Sequence, residues 1–265
     1  MWSAIRARFS RRRGAALALA VAVVLLAAAG AVSAELSAGA APPLLAGPDF
    51  AFVFGRHYAA ALEFVSGHPA ADDVFRAWDI PPAFAWAIVL PELIRYSALV
   101  DVIESANLKV LYVEFGHGYG DASVGRFQMK PSFAETLEGD FLRLADPADR
   151  ERLGPAPFDR ADTVKARRER ARRLTDVAGQ ARYVAMFVRV MDKLYPGEGG
   201  GDEETRLRFY AAAYNAGYRL GVPRLRREMA IPHFHTGLFA GRELYVYADV
   251  AADYWRRATA KEIGR

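Results

Sequence analysis

Three segments of this 265-residue chain gather side chains able to do chemistry. The first is Ala87-Ile88-Val89-Leu90-Pro91-Glu92-Leu93-Ile94, which sets one carboxylate in a strongly apolar stretch. Burial disfavours the charged form, so an acid in such surroundings keeps its proton towards neutral pH, as a general acid must. The same pattern also suits an ordinary glutamate at a helix break, exposed or paired with an arginine. The second is Gly125-Arg126-Phe127-Gln128-Met129-Lys130-Pro131-Ser132, in which glycines lead into a helix start and Gln128 can bind an amide or a hydroxyl. The third is Ala211-Ala212-Ala213-Tyr214-Asn215-Ala216-Gly217. Its small residues allow close helix packing, and its Tyr-Asn pair before glycine reads equally well as an ordinary helix cap.

Taken together and in this order, the segments resemble the lytic transglycosylase (goose-type lysozyme-like) superfamily. That family has an apolar helix ending in a catalytic Glu, then a Gly-Leu-Met-Gln-x-x-Pro-Ser block, then Ala-Tyr-Asn-Ala-Gly. Gly125, Gln128, Pro131 and Ser132 keep the second block's spacing, and Ala213 to Gly217 match the third in full. Glu243 and Tyr247 stand at the spacing of the family's Glu-Thr-x-x-Tyr segment, with Leu244 in place of Thr. The likeness runs from about Pro81 to Tyr254. Glu92 is the favoured acid, because Ala-Ile-Val-Leu-Pro-Glu looks like the family's helix leading to it. A literal Glu-Ser pair, usual at the family's acid, stands at Glu104-Ser105 and makes Glu104 a second carboxylate, an orienting residue or a solvent-facing one.

The resemblance implies cleavage of the bond between N-acetylmuramic acid and N-acetylglucosamine in peptidoglycan strands. It implies that Glu92 protonates the glycosidic oxygen and then takes the proton from the sugar's 6-hydroxyl as a 1,6-anhydro ring closes. Gln128 and Asn215 would bind acetamido groups, Tyr214 and Tyr247 would line the groove or fix Glu92, and Met129 would form an apolar wall. Either tyrosine could equally be a core residue with a satisfied hydroxyl. Two other functions fit the same segments. One is a hydrolytic muramidase that uses Glu104, Asp101 or Asp121 to place water; the other is a wall-binding protein without turnover.

The elements that must position these groups read as helices. The class expected is all-α, with at most a small hairpin near Tyr119–Phe127. Apolar spacing predicts one helix from Phe50 to near Gly67 and another opening at Pro81-Pro82, kinked or interrupted at Pro91 and continuing from Leu93 to Tyr112. Glycines between 116 and 125 break it. Ser132 and Glu135 match a capping box for the next helix. Residues 144–160 read as an irregular loop, and 162–194 as a long helical segment broken near Gly179. Further helices are expected over 203–216 and 242–261. The basic run from Lys165 to Arg173 reads as a solvated helical face.

Zero cysteines exclude a disulfide framework, a thiol nucleophile and cysteine-based metal sites. His233 and His235 have no third ligand type near them in sequence, so neither a metal site nor a cofactor is expected. No phosphate loop or Ser-His-Asp spacing is present. Residues 1–34 carry five arginines and no acid, followed by an uncharged Ala/Leu/Val stretch from Gly14 to Ala34. This reads as a signal peptide or an N-terminal membrane anchor, with 35–48 as a linker and 49–265 as the working domain. Either way the body is exported, to the periplasm or cell envelope. The net charge of +4 and the pI near 9.3 come from that leader. Removing its five arginines from the 35 bases leaves 30 against 31 acids, so a nucleic-acid partner is not expected.

Overall fold

Residues 83–94 are buried on every side, and the fold is built around the helix that carries them. The computed structural model describes residues 48–99, 106–153, 158, 163–198, 201–236 and 243–263. The leader, Asp101 and Glu104 lie outside the described residues. Ala46–Arg265 form one compact unit. No helix of the described residues is long and apolar enough to cross a membrane.

The architecture is all-α. Twelve α-helices occur among the described residues: α1 (Phe50–Phe54), α2 (Arg56–Ser66), α3 (Pro69–Ala77), α4 (Pro82–Leu99), α5 (Ala106–Phe115), α6 (Pro131–Leu144), α7 (Pro147–Leu153), α8 (Val164–Thr175), α9 (Val177–Leu194), α10 (Glu203–Ala216), α11 (Val222–Glu228) and α12 (Tyr247–Ile263). A single antiparallel pair, β1 (Pro232–Phe234) with β2 (Tyr245–Val246), is the one sheet among them.

The central helix α4 packs against α2, α3, α9, α10 and α12. A helix that is apolar all round belongs in the middle of a bundle, and α4 is such a helix. It continues as a helix through Pro91, where the sequence predicts a kink or an interruption; there is no interruption. Proline removes one backbone hydrogen bond and costs about 3 kcal/mol in a helix interior. Enclosure of the whole 83–94 stretch outweighs that cost. Trp86 shows how tightly it is held. Its ring meets Phe64, Phe75 and Phe127 edge-on, and its Nε1 donates to Asp72 at 2.6 Å.

Several local expectations need correction. The helix expected from Phe50 to Gly67 is two, because Gly55 turns the chain at φ +50°. A helix not foreseen, α3, follows. α4 ends at Leu99 and α5 starts at Ala106, so the stretch from Leu93 to Tyr112 is not one helix. Ser132 does not cap α6; Lys130 holds the cap position, and Asp121 accepts from the Ser132 backbone N–H at 2.9 Å and its hydroxyl at 2.7 Å. Residues 144–160 contain α7. The break in the 162–194 segment falls at Asp176, whose carboxylate caps α9 through the Gly179 N–H at 2.8 Å. The final helix starts at Tyr247, after β2. The expected hairpin near Tyr119–Phe127 reduces to one bridge, Val124 to Met129, and the sheet lies elsewhere.

The basic run on α8 is not simply a solvated face. Arg167 and Arg170 are buried. Arg167 donates to the carbonyls of Val113 and Glu114 and so caps the C-terminus of α5. Arg170 donates through Nε and Nη2 to Glu138 at 3.0 and 2.7 Å and through Nη1 to Tyr112 at 2.7 Å and Glu135 at 3.1 Å. Glu138 is fully enclosed and also accepts from Tyr183 and Arg173. This network ties α5, α6, α8 and α9 together.

Candidate functional site

The second motif folds into a tight loop held by several backbone and side-chain hydrogen bonds. Val124 and Met129 exchange backbone hydrogen bonds at 2.8 and 3.2 Å, closing the loop at its base. From α9, Gln180 accepts from the Phe127 N–H at 2.7 Å. From α10, Tyr214 donates to the Phe127 carbonyl at 2.8 Å. Gly125 sits at φ +72°, and a Cβ there would lie 2.3 Å from the Leu174 carbonyl oxygen. Gln128 adopts φ +52°, a left-handed conformation that costs a non-glycine residue roughly 1–2 kcal/mol. Such strain persists only where the surroundings over-determine it, and it clusters at functional sites. Gly125→Ala is expected to lose about 1–3 kcal/mol from backbone strain alone, with the overlap adding to it. Thermal melting checks this as a lowered Tm.

The loop forms one wall of a cleft of about 380 Å³, a size typical of small-ligand sites. Gln128, Met129, Ser132, Phe133, Tyr214 and Tyr218 line it. Met129 is buried, 2% exposed, and presents its apolar side chain at the base of the cleft. Gln128 donates through Nε2 to the Gly125 carbonyl at 2.8 Å. Beneath the cleft, Phe187 packs edge-on against Tyr210, Tyr214 and Tyr218 and fixes the ring of Tyr214.

Glu92 stands one residue past Pro91 and is only 5% exposed. It is not a wall residue of this cleft, but it is coupled to one. Its charge adds to burial in pushing the Tyr214 hydroxyl well above its ordinary value. Tyr247, from the start of α12, is enclosed and donates to the Ile88 carbonyl at 3.0 Å, one turn before Glu92. Burial, then Glu92 and Tyr214, raise its hydroxyl too. Tyr214 thus shares the cleft with Gln128 and Met129, while Tyr247 binds the turn of α4 that precedes Glu92.

Arg95 is the partner that the motif reading missed, although a carboxylate and an arginine three apart on a helix is a legible signal. It donates through Nη1 to both Glu92 oxygens, at 3.1 and 2.9 Å. Both readings of the lone glutamate therefore hold at once: it is buried and it is arginine-paired. Burial nevertheless dominates. It raises the Glu92 carboxyl above its ordinary value, against the opposing pull of Arg95 and Tyr247. Arg95 in turn lies over the Phe234 ring, its guanidinium carbon 4.8 Å from the centroid.

Asn215 follows Tyr214 but is not on the cleft wall. Its carboxamide nitrogen contacts Nε2 of His233 on β1. Nothing in the spacing of residues 215 and 233 announces this pair, which depends on β1 folding back beside the end of α10. Asp121, a candidate for placing water, directs both carboxylate oxygens to Ser132 and serves as a helix cap. Glu104 and Asp101 lie outside the described residues. Among the described residues, no group of three or more His, Cys, Asp or Glu side chains could hold a metal ion. Comparison with protein-family profiles, with curated proteins and with solved structures finds no match.

Proposed function

We propose that this chain is a peptidoglycan lytic transglycosylase with Glu92 as its acid and base. The observation that carries the reading is a carboxyl only 5% exposed on the central helix, held by Arg95 and one turn past the carbonyl that Tyr247 binds, with burial favouring its protonated form. Glu92, Tyr214 and Tyr247 come from three separate segments that resemble that superfamily. Glycosidases usually need two carboxylates, and substrate-assisted enzymes are the exceptions. Here one carboxyl suffices. Glu92 gives its proton to the glycosidic oxygen as the bond to C1 breaks, and the substrate's own acetamido group stabilises the cationic carbon. The 6-hydroxyl then attacks C1 and returns its proton to Glu92. No water is consumed, which suits an acid held away from solvent. Gln128 binds an acetamido group at the cleft and Asn215 a second one beside it, Met129 offers an apolar wall, and Tyr214 and Tyr247, whose hydroxyls donate to the Phe127 and Ile88 carbonyls, hold the loop and the helix that flank the acid.

The test uses the full chain on purified sacculi, with product masses read out. Muropeptides ending in anhydro sugars, lighter by one water than reducing ends, support the reading. Reducing muramic ends would make the protein a hydrolase. Binding without soluble product would make it a non-catalytic wall protein.

The reading also fixes a pH effect. Glu92 must carry its proton to start the reaction, so activity falls as pH rises through its pKa. Arg95 pulls that pKa down. Arg95→Met is therefore expected to move the alkaline fall to higher pH, measured as initial rate of product release against pH.

A further inference from the structure

Among the described residues, His233 is the side-chain hydrogen-bond partner of Asn215, and it is held from behind. Glu228, at the end of α11, places a carboxylate oxygen 3.9 Å from Nδ1 of His233. Glu228 is itself buried and is bound by Arg224 Nε at 2.7 Å. The charged groups facing the imidazole are thus Glu228 from α11 and Arg95 from α4. Arg95 is the same arginine that pairs with Glu92, so this arrangement adjoins the proposed acid.

We propose that His233 is a positioning residue that decides whether Asn215 offers a hydrogen-bond acceptor or a donor to an acetamido-bearing sugar. The inference rests on the glycan reading given above.

A neutral imidazole has one N–H and one acceptor nitrogen. The Glu228 carboxylate favours the proton on Nδ1, which leaves Nε2 as the acceptor. With that tautomer the contact between Asn215 Nδ2 and His233 Nε2 is a donation from Asn215, and its Oδ1 is left to accept from an acetamido N–H. When the imidazole is protonated, Nε2 becomes a donor. The contact survives only if the carboxamide turns over, giving Oδ1 to His233 and presenting its NH2 to the ligand. A donor would then meet the acetamido N–H. Burial and Arg95 lower the His233 pKa against the pull of Glu228, so the acceptor form is the one present at neutral pH.

The experiment measures affinity of the full chain for tetra-N-acetylchitotetraose between about pH 5 and 8. Wild type is expected to weaken about ten-fold as His233 gains its proton, the scale of one mispaired buried polar group. His233→Ala should lose about as much at neutral pH. His233→Gln, which restores an acceptor at the position of Nε2, should recover the affinity and abolish its pH dependence. An unaltered pH profile in His233→Gln would overturn the proposal. Absence of binding at every pH would count against the glycan reading instead. The switch is then decided by the Asn215 side-chain amide resonances of the unliganded protein. Resonances that move through the His233 titration in wild type and stay fixed in His233→Gln support it; the same behaviour in both proteins contradicts it.

Discussion

Glu92→Gln should lower release of soluble muropeptides by at least about a thousand-fold. A positioned acid–base group contributes roughly a hundred- to ten-thousand-fold, and in the proposed mechanism one carboxyl serves both proton transfers. Glutamine keeps the size and the hydrogen-bonding surface, so Arg95 still has an acceptor while the transferable proton is gone. The loss of activity should not be a loss of fold. The folded chain holds the Glu92 proton to higher pH than the unfolded chain, because burial raises that pKa. Above the ordinary value of 4.5, the native state therefore binds more protons than the unfolded one, and stability declines as pH rises towards the folded-state pKa. Glutamine removes this term. Glu92→Gln should gain stability relative to wild type across that window, read from denaturant midpoints at a series of pH values. An inactive variant that gains stability in this way separates chemistry from collapse.

The second large effect concerns the support of the fold. Glu138→Ala should cost about 3–5 kcal/mol, the usual result of removing one partner of a buried ion pair. Arg170 is 4% exposed and would lose its bidentate partner. Tyr183 and Arg173 would lose an acceptor as well. A domain is stable by only about 5–15 kcal/mol, so the variant should unfold at a much lower denaturant concentration. The cost includes leaving a charge without its partner. Glu138→Gln, which retains an acceptor, should therefore lose less. Equal losses for alanine and glutamine would show that the carboxylate charge does not hold the network.

The legibility of this chain follows from how locally each feature is specified. The α10 boundaries, Glu203 to Ala216, are written in Asp202 as N-cap and Gly217 as C-cap, and the sequence expectation matches them. The burial of α4 is equally plain, since an unbroken apolar run cannot face water. Pro91 does not interrupt α4 because helix propensity is a local cost and the enclosure that overrides it is tertiary. Ser132 misled for a related reason. It has the right type and spacing for a capping box, but Asp121, eleven residues earlier, reaches the helix end first. The buried arginines of α8 show the limit most clearly. Nothing in Lys165–Arg173 distinguishes Arg170 from its neighbours. Its burial depends on Glu138, Glu135 and Tyr112 converging on it from two other helices.

The site was legible to a similar degree. The motifs marked Glu92, Glu104, Gln128, Met129, Tyr214, Asn215 and Tyr247; the structure gathers Gln128, Met129 and Tyr214 on one cleft, leaves Glu92, Asn215 and Tyr247 off its wall, and Glu104 lies outside the described residues. Long-range pairings were not marked. Gln180 pins the loop from 53 positions away, and His233 holds the Asn215 side chain. Such residues act through backbone groups or through one another, which leaves no pattern in a single sequence.

The central claim is that Glu92 performs a water-free cleavage of peptidoglycan strands. The most direct measurement digests sacculi with the wild-type protein and Glu92→Gln in parallel and determines product masses. The account predicts anhydro-ended muropeptides from wild type and none above background from Glu92→Gln. Equal release by both proteins, or products with reducing muramic ends, would contradict it.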